Sequence, residues 1–247
     1  MRDAYLAARY SSLQENAKRV VKYKTVLFDL DDTLTDSYRA RLLALRRVFG
    51  SAGIASPSAA ELLQSSDGSP FGPILIKIAA DYGVQADLYA EYRTELLSTP
   101  AGVITLYPGV KQVLETLRAR GTKLGVVTSK MRLAQAGGRP AGASQDLRQT
   151  GVAELFDAVV GYEDTALHKP DPEPVRLALA TLSAAPQRSI FVGDSPADIE
   201  AGRAAGCRTC LASWEPTRDT WGAADADLVA ETPERLLQLL LGNAALA

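Results

Sequence analysis

The stretch Val26-Leu27-Phe28-Asp29-Leu30-Asp31-Asp32-Thr33-Leu34 leaves the chain few ways to fold. It opens as a continuous apolar run, the pattern of a strand buried on both faces of a parallel sheet, and closes with three carboxylates in four positions. Packing gives no reason for that ending. The carboxyl end of a buried parallel strand is, however, where open α/β sheets place their ligand crevices. Strand side chains alternate in direction, so Asp29 and Asp31 can lean to one side while Leu30 points to the other. Two like charges that close repel unless a cation neutralises them or one keeps its proton. An acidic turn in which Asp31 or Asp32 caps the next helix produces the same pattern.

The chain beyond Pro108 alternates regularly between strand and helix. A helix from Pro108 to Arg120, stopped by Gly121, leads to a strand at Lys123 to Thr128. The segment Lys130 to Gly151 reads as helical with a break at Gly137 to Pro140. Strands at Phe156 to Val160, Ser189 to Val192, Arg208 to Leu211 and Leu228-Val229 are separated by helices at Pro172 to Leu182 and Ala197 to Ala205, and a helix at Pro233 to Leu241 follows. Such alternation implies a parallel sheet with right-handed crossovers. Between the first and second strands, by contrast, Tyr38 to Phe49, Phe71 to Tyr82 and Gln85 to Leu97 are helical, and Ser58 to Glu61 reads as a capping box. This block holds no convincing strand and looks like a helical insert. Ahead of everything, Tyr5 to Val21 carries apolar groups at helical spacing, the pattern of a packing or oligomer-contact helix.

With 247 residues the chain can form one core of about 150 residues carrying a smaller insert. It has no apolar run near the roughly 18 residues that span a bilayer. Met1 to Lys24 lacks the continuous apolar centre of a secretion signal, so a cytoplasmic protein is expected. A formal net charge of −2 and a pI near 5.6 argue against nucleic-acid binding. Cys207 and Cys210, with His168 the only histidine, are too few for a four-ligand zinc site, and they read as buried strand thiols.

Three further strand ends deliver reactive groups. The first is Thr128-Ser129-Lys130, hydroxyls followed by a cation, which would equally serve as a helix N-cap. The second is Lys169, fixed between His168 and Pro170-Asp171-Pro172, where a proline-bound turn holds a normally solvated ammonium in place. The third is Gly193-Asp194-Ser195-Pro196-Ala197-Asp198: Gly193 allows a tight turn, Asp194 stands at a strand end, and Asp198 lies about one helical turn on. Bringing Asp29, Asp31, Asp194 and Asp198 together with an anionic ester would cost on the order of 4 kcal/mol per pair at about 4 Å and an effective dielectric near 20. A hard dication with oxygen ligands removes that barrier, and Mg2+ suits carboxylates, a carbonyl, waters and a phosphoryl oxygen.

These four motifs, in this order and at strand ends, resemble those of the haloacid dehalogenase-like hydrolases, and the likeness runs from about Lys24 to Leu240. The resemblance implies a Rossmann-like α/β core, residues 24–35 and 105–247, with a small helical C1-type cap, 36–104, behind an N-terminal helical extension, 1–23. It further implies that Asp29 is a phosphoryl-accepting nucleophile and that Asp31, held protonated, is the general acid and base, oriented by Thr33. Thr128 and Ser129 would contact the phosphoryl group, although Ser129 stands where phosphatases of the family often have Asn. Lys169 would neutralise charge and touch substrate. Asp29, Asp194 and the main-chain carbonyl of Asp31 would hold Mg2+, with Asp198 in support. Asp32, where many relatives have Gly, reads as a tolerated variant and His168 as a loop residue. Residues 193–206 look most like phosphoglycolate phosphatases, with PpaX-type pyrophosphatases close behind. The expectation is a Mg-dependent phosphatase of a small phosphorylated metabolite, not bound to nucleic acid or membrane, as monomer or homodimer. A β-phosphoglucomutase-like phosphotransferase or a non-catalytic binding module of the same shape are the alternatives; Asp31 counts against a dehalogenase.

Overall fold

The computed structural model describes residues 21–54, 71–100, 102–214 and 225–242. In chain order the elements begin with β1 (Thr25–Phe28), β2 (Thr35–Asp36), α1 (Tyr38–Ser51), α2 (Phe71–Asp81), α3 (Leu88–Leu97) and β3 (Thr105–Leu106). Next come α4 (Val110–Ala119), β4 (Lys123–Val127), β5 (Ala134–Ala136), β6 (Arg139–Ala141), α5 (Ala143–Gln149) and β7 (Ala158–Val160). The chain continues through α6 (Glu173–Thr181), β8 (Ser189–Gly193), α7 (Pro196–Ala204), β9 (Arg208–Ala212), β10 (Leu228–Ala230) and α8 (Pro233–Leu240). The helix read over Tyr5 to Val21 (except Val21 itself) and the capping box at Ser58 to Glu61 lie outside the described residues.

Six strands form one sheet in the order β10-β9-β8-β1-β4-β7, and every pairing in it is parallel. The apolar run of β1 is central because it can be covered on both sides. Val26 and Phe28 join Val113, Leu114 and Leu117 of α4 and Leu236 and Leu240 of α8 in one core, whereas Leu27 joins Val175 and Leu179 of α6 and Ala201 of α7 in the other. Gly125 of β4 is small because a Cβ there would stand 2.7 Å from Leu27 Cδ2. Phe28 lies between Val126 and Val192 across the sheet, so the chain leaves β1, β4 and β8 at nearly the same height. Asp29, Thr128 and Asp194 therefore emerge side by side. The strand order changes direction between β1 and β8, the place where such sheets form a crevice.

Helices α1, α2 and α3 pack on one another around Leu45, Phe49, Leu75, Leu88 and Tyr92, a cluster apart from the two sheet cores. Helix α3 starts at Leu88, later than the sequence suggests, because the Asp87 carboxylate accepts hydrogen bonds from the amides of Tyr89 and Ala90. The chain enters and leaves this group of helices through β2 and β3, which pair antiparallel with Thr35 opposite Leu106 and Asp36 opposite Thr105. Two-residue strands carry no periodicity, so no pattern in the residues marks them.

One segment differs in kind from its expectation. Lys130 to Gly151 was to be helical, yet β5 and β6 form a hairpin and the helix is confined to α5. Gly137 and Gly138 both have positive φ, 57° and 76°, between the paired residues Ala136 and Arg139. A two-residue loop of that conformation matches the twist of a hairpin, so the glycine pair starts a return strand and does not merely interrupt a helix. Cys207 and Cys210 are free and buried, and burial pushes their thiols up to about 11 and about 12. No helix among the described residues is long and apolar enough to cross a membrane.

Leu114, fully buried where α4 meets the sheet, gives a direct test of this packing. Leu114→Ala is expected to lower stability by about 2–5 kcal/mol, read as a lower urea midpoint with an unchanged m-value.

Candidate active site

At the tip of β1 the Asp29 amide still donates to Val192 O, 2.9 Å away, which fixes the carboxylate at the sheet's edge. Lys169 reaches it from the loop after β7, and its Nζ lies 2.5 Å from Asp29 Oδ1, 2.6 Å from Asp198 Oδ1 and 3.3 Å from Val127 O. The second oxygen of Asp198 accepts from the amide and hydroxyl of Ser195, at 3.1 and 2.6 Å, in the capping box that opens α7. One carboxylate thus caps a helix and fixes the lysine at the same time. Thr128 is buried, its Oγ1 accepting from the Lys130 amide at 3.1 Å, while Ser129 is exposed beside it. His168 stacks on the Tyr162 ring, with centroids 3.8 Å apart, in the loop leading to Lys169.

Two local expectations change. Gly193 is not at a positive φ, so a tight turn is not its purpose. A Cβ there would lie 2.4 Å from both Cβ and Cγ of Asp198, so its lack of a side chain is what lets Asp198 close on the strand end. Thr33 does not orient Asp31: its hydroxyl donates to Asp194 Oδ1 at 3.1 Å.

The electrostatics separate two groups of acids. Asp29, Asp194 and Asp198 are all buried, each offering an oxygen within 4.8 Å of the others. Within this group Lys169 pairs with Asp29 and Asp198, and Asp194 accepts from Thr33. Burial pushes the Asp29 carboxyl well above its usual range; Lys169 opposes this, and Asp198 and Asp194 push the same way as burial. That surplus of negative charge, presented as hard oxygen donors, fits a divalent cation.

The Asp31 carboxylate lies outside that cluster. It accepts from Lys130 Nζ at 3.3 Å, and the same ammonium lies 2.6 Å from Asp146 Oδ2. Burial raises Asp31, yet Lys130 and Arg41 outweigh it and hold the carboxyl below its ordinary value. The surrounding cations thus favour the carboxylate form of Asp31, whereas the role that the resemblance implies requires the protonated form.

Asp32, Arg41 and Asp146 were not singled out by the sequence as parts of a built structure. Asp32 is fully buried in a left-handed conformation, φ 66°, with its carboxylate accepting from Ser37 Oγ at 3.1 Å and paired with the Arg41 guanidinium. It is a structural anchor between the β1 loop and α1, and more than a tolerated variant. A signal for both Arg41 and Asp146 was present in the helical spacing. Arg41 is in line with the buried Ala44, Leu45 and Val48 of α1, and Asp146 with Ala143 and Leu147 of α5.

The haloacid dehalogenase-like hydrolase family model matches residues 26–212. The pyrophosphatase PpaX of Bacillus pumilus is 33% identical over 192 residues, covering 77% of this chain and 83% of that protein. The phosphoglycolate phosphatase of Aquifex aeolicus is 31% identical over 191 residues, covering 77% and 85%. Among solved structures, a haloacid dehalogenase-like family protein from Streptococcus pneumoniae superposes with a TM-score of 0.72 at 22% identity, covering 88% of this chain and 98% of that one.

The Asp32–Arg41 pair can be weighed against the strain it carries. Breaking a buried pair costs about 3–5 kcal/mol, and removing left-handed strain recovers about 1 kcal/mol. Asp32→Gly is thus expected to destabilise by about 2–4 kcal/mol in chemical denaturation, whereas adding Arg41→Met should bring stability back to within about 1 kcal/mol of the parent.

Proposed function

The chain belongs to the haloacid dehalogenase-like hydrolase family and is a phosphatase of it, and from that premise we propose a Mg2+-dependent enzyme that hydrolyses a small phosphorylated metabolite through an aspartyl-phosphate. The observation that carries this reading is the placement of Lys169 between Asp29 and Asp198, with Asp194 alongside. A carboxylate so placed has a free lone pair for phosphorus and a fixed cation to offset the charge that gathers there.

In the first step Asp29 attacks phosphorus in line with the leaving oxygen; the Asp29 O–P bond forms as the ester P–O bond breaks. Lys169, held by Asp198, stabilises the equatorial oxygens, and the Thr128 hydroxyl with Ser129 orients them. Asp31 takes the proton of an entering monoester monoanion and delivers it to the leaving oxygen. In the second step Asp31 removes a proton from water as the water oxygen bonds to phosphorus and Asp29 departs. Mg2+ would be held by Asp29, Asp194 and the Asp31 main-chain carbonyl, where it would offset negative charge and polarise the phosphoryl oxygen. Thr33 serves this arrangement through Asp194.

Helices α1, α2 and α3 we read as a cap, spanning 36–104, that covers the crevice and restricts what enters. A phosphoglycolate-like phosphomonoester is the first substrate reading, supported by relatives bearing that enzyme's name. Inorganic pyrophosphate is the second, supported by the PpaX relatives.

With Mg2+ the protein should release phosphate from p-nitrophenyl phosphate, and chelation or Asp29→Asn should bring release to background. Lys169→Met should lower kcat by roughly 10²–10³-fold. Interconversion of hexose phosphates without phosphate release would select the phosphotransferase instead. A panel of phosphorylated metabolites and pyrophosphate, ranked by kcat/KM, separates the two substrate readings.

A further inference from the structure

Lys130 has no part in the steps above, and neither has Asp146, yet both are buried against the reacting end of the sheet. The Lys130 side chain is 7% exposed and that of Asp146 is 12% exposed, while the Asp31 side chain they lead to is 23% exposed. Lys130, which follows β4 and is the most buried of the three, joins Asp146 of α5 on one side to the more exposed Asp31 on the other. Among the described residues Lys130 is the only ion-pair partner recorded for Asp146. Asp146 takes an inward position on α5 beside Ala143 and Leu147, where an apolar side chain would pack without the cost of burying a charge. Its place there is accounted for by the ammonium it holds.

The distances give that ammonium a direction. Lys130 Nζ is 2.6 Å from Asp146 and 3.3 Å from Asp31. The tighter contact anchors the lysine, and the looser one limits where the Asp31 carboxylate can go without locking it. A group that must face a leaving oxygen in one step and a water in the next needs that combination.

Resting on the phosphatase reading above, we propose that Lys130, anchored by Asp146, is a positioning residue that aims the Asp31 carboxyl at the leaving-group oxygen. The proton it aims moves from Asp31 to that oxygen as the P–O bond breaks and the Asp29 O–P bond forms. No further reactant is required.

The experiment compares kcat/KM for acetyl phosphate, p-nitrophenyl phosphate and a simple alkyl phosphate, whose leaving groups need progressively more help from an acid. Lys130→Met is expected to lose about 10²-fold or more on the alkyl phosphate and less than about 5-fold on acetyl phosphate, because proton donation is worth roughly 10²–10⁴-fold where it is needed. Asp146→Asn should lose in the same order by a smaller factor, and Lys130→Arg should recover part of the alkyl activity. Should Lys130→Met fail to fold with Asp146 left unpaired, the doubly neutral Lys130→Met with Asp146→Leu removes both charges and must show the same leaving-group dependence. Equal losses on all three donors would overturn the proposal and make the pair purely structural, as would unchanged activity. If the parent protein releases phosphate from none of them, the phosphatase reading itself fails; that outcome is separate from the behaviour of the variants.

Discussion

Burying Asp29, Asp194 and Asp198 within reach of one another, with Lys169 between the first and the last, is the constraint from which the remaining structure follows. An isolated buried carboxylate is expensive, and three of them within one crevice hold only if every oxygen is answered by a donor or a cation. The answers come from sequence-distant segments: Lys169 from the loop after β7, Ser195 from the cap of α7, and Thr33 from the β1 loop itself. Only the Ser195 contact with Asp198 is local; those of Lys169 and Thr33 join segments far apart in the chain. They depend on β1, β4 and β8 ending level, which depends in turn on the apolar side chains that fix sheet register on both faces.

That dependence explains what could be read from the residues alone. Asp29, Thr128 and Asp194 each follow a run of Val, Ile, Leu or Phe, so their places at strand ends were visible one motif at a time, whereas Lys169 stands in a loop nine residues beyond Val160; the alternation of strands and helices implied that the ends meet. The role of Gly193 was misread because its neighbour in space is the side chain of Asp198, whose approach is set by the start of α7 and not by any turn. The β5–β6 hairpin was missed because a glycine pair ends a helix and opens a type of hairpin equally well. For Asp31 the pattern showed the acid but not the cations beside it, since Lys130 and Arg41, which lower its pKa, come from two other segments of the chain.

Around the central acids lies a second tier of paired charges, Asp32 with Arg41 and Asp146 with Lys130. In each pair one partner sits on an inward face of a helix where periodicity alone would place an apolar residue. Their common effect is to stiffen the polypeptide on either side of Asp31: the first pair ties the β1 loop to α1, and the second ties the end of β4 to α5. The crevice is therefore walled by ionic contacts on its approach side and by hydrocarbon beneath, where the Phe191 ring lies 5.7 Å from Lys169 Nζ.

The β2–β3 pairing gives this wall a mechanical consequence. Thr35 is paired with Leu106 on one side and bridged to Asp31 on the other, and its amide and hydroxyl both donate to Leu30 O. The two crossings between sheet and helices are thus fastened to each other and to the loop that bears the acid. Any displacement of α1, α2 and α3 against the sheet would have to pass through this doubled strap, which is also what holds the peptide at Asp31.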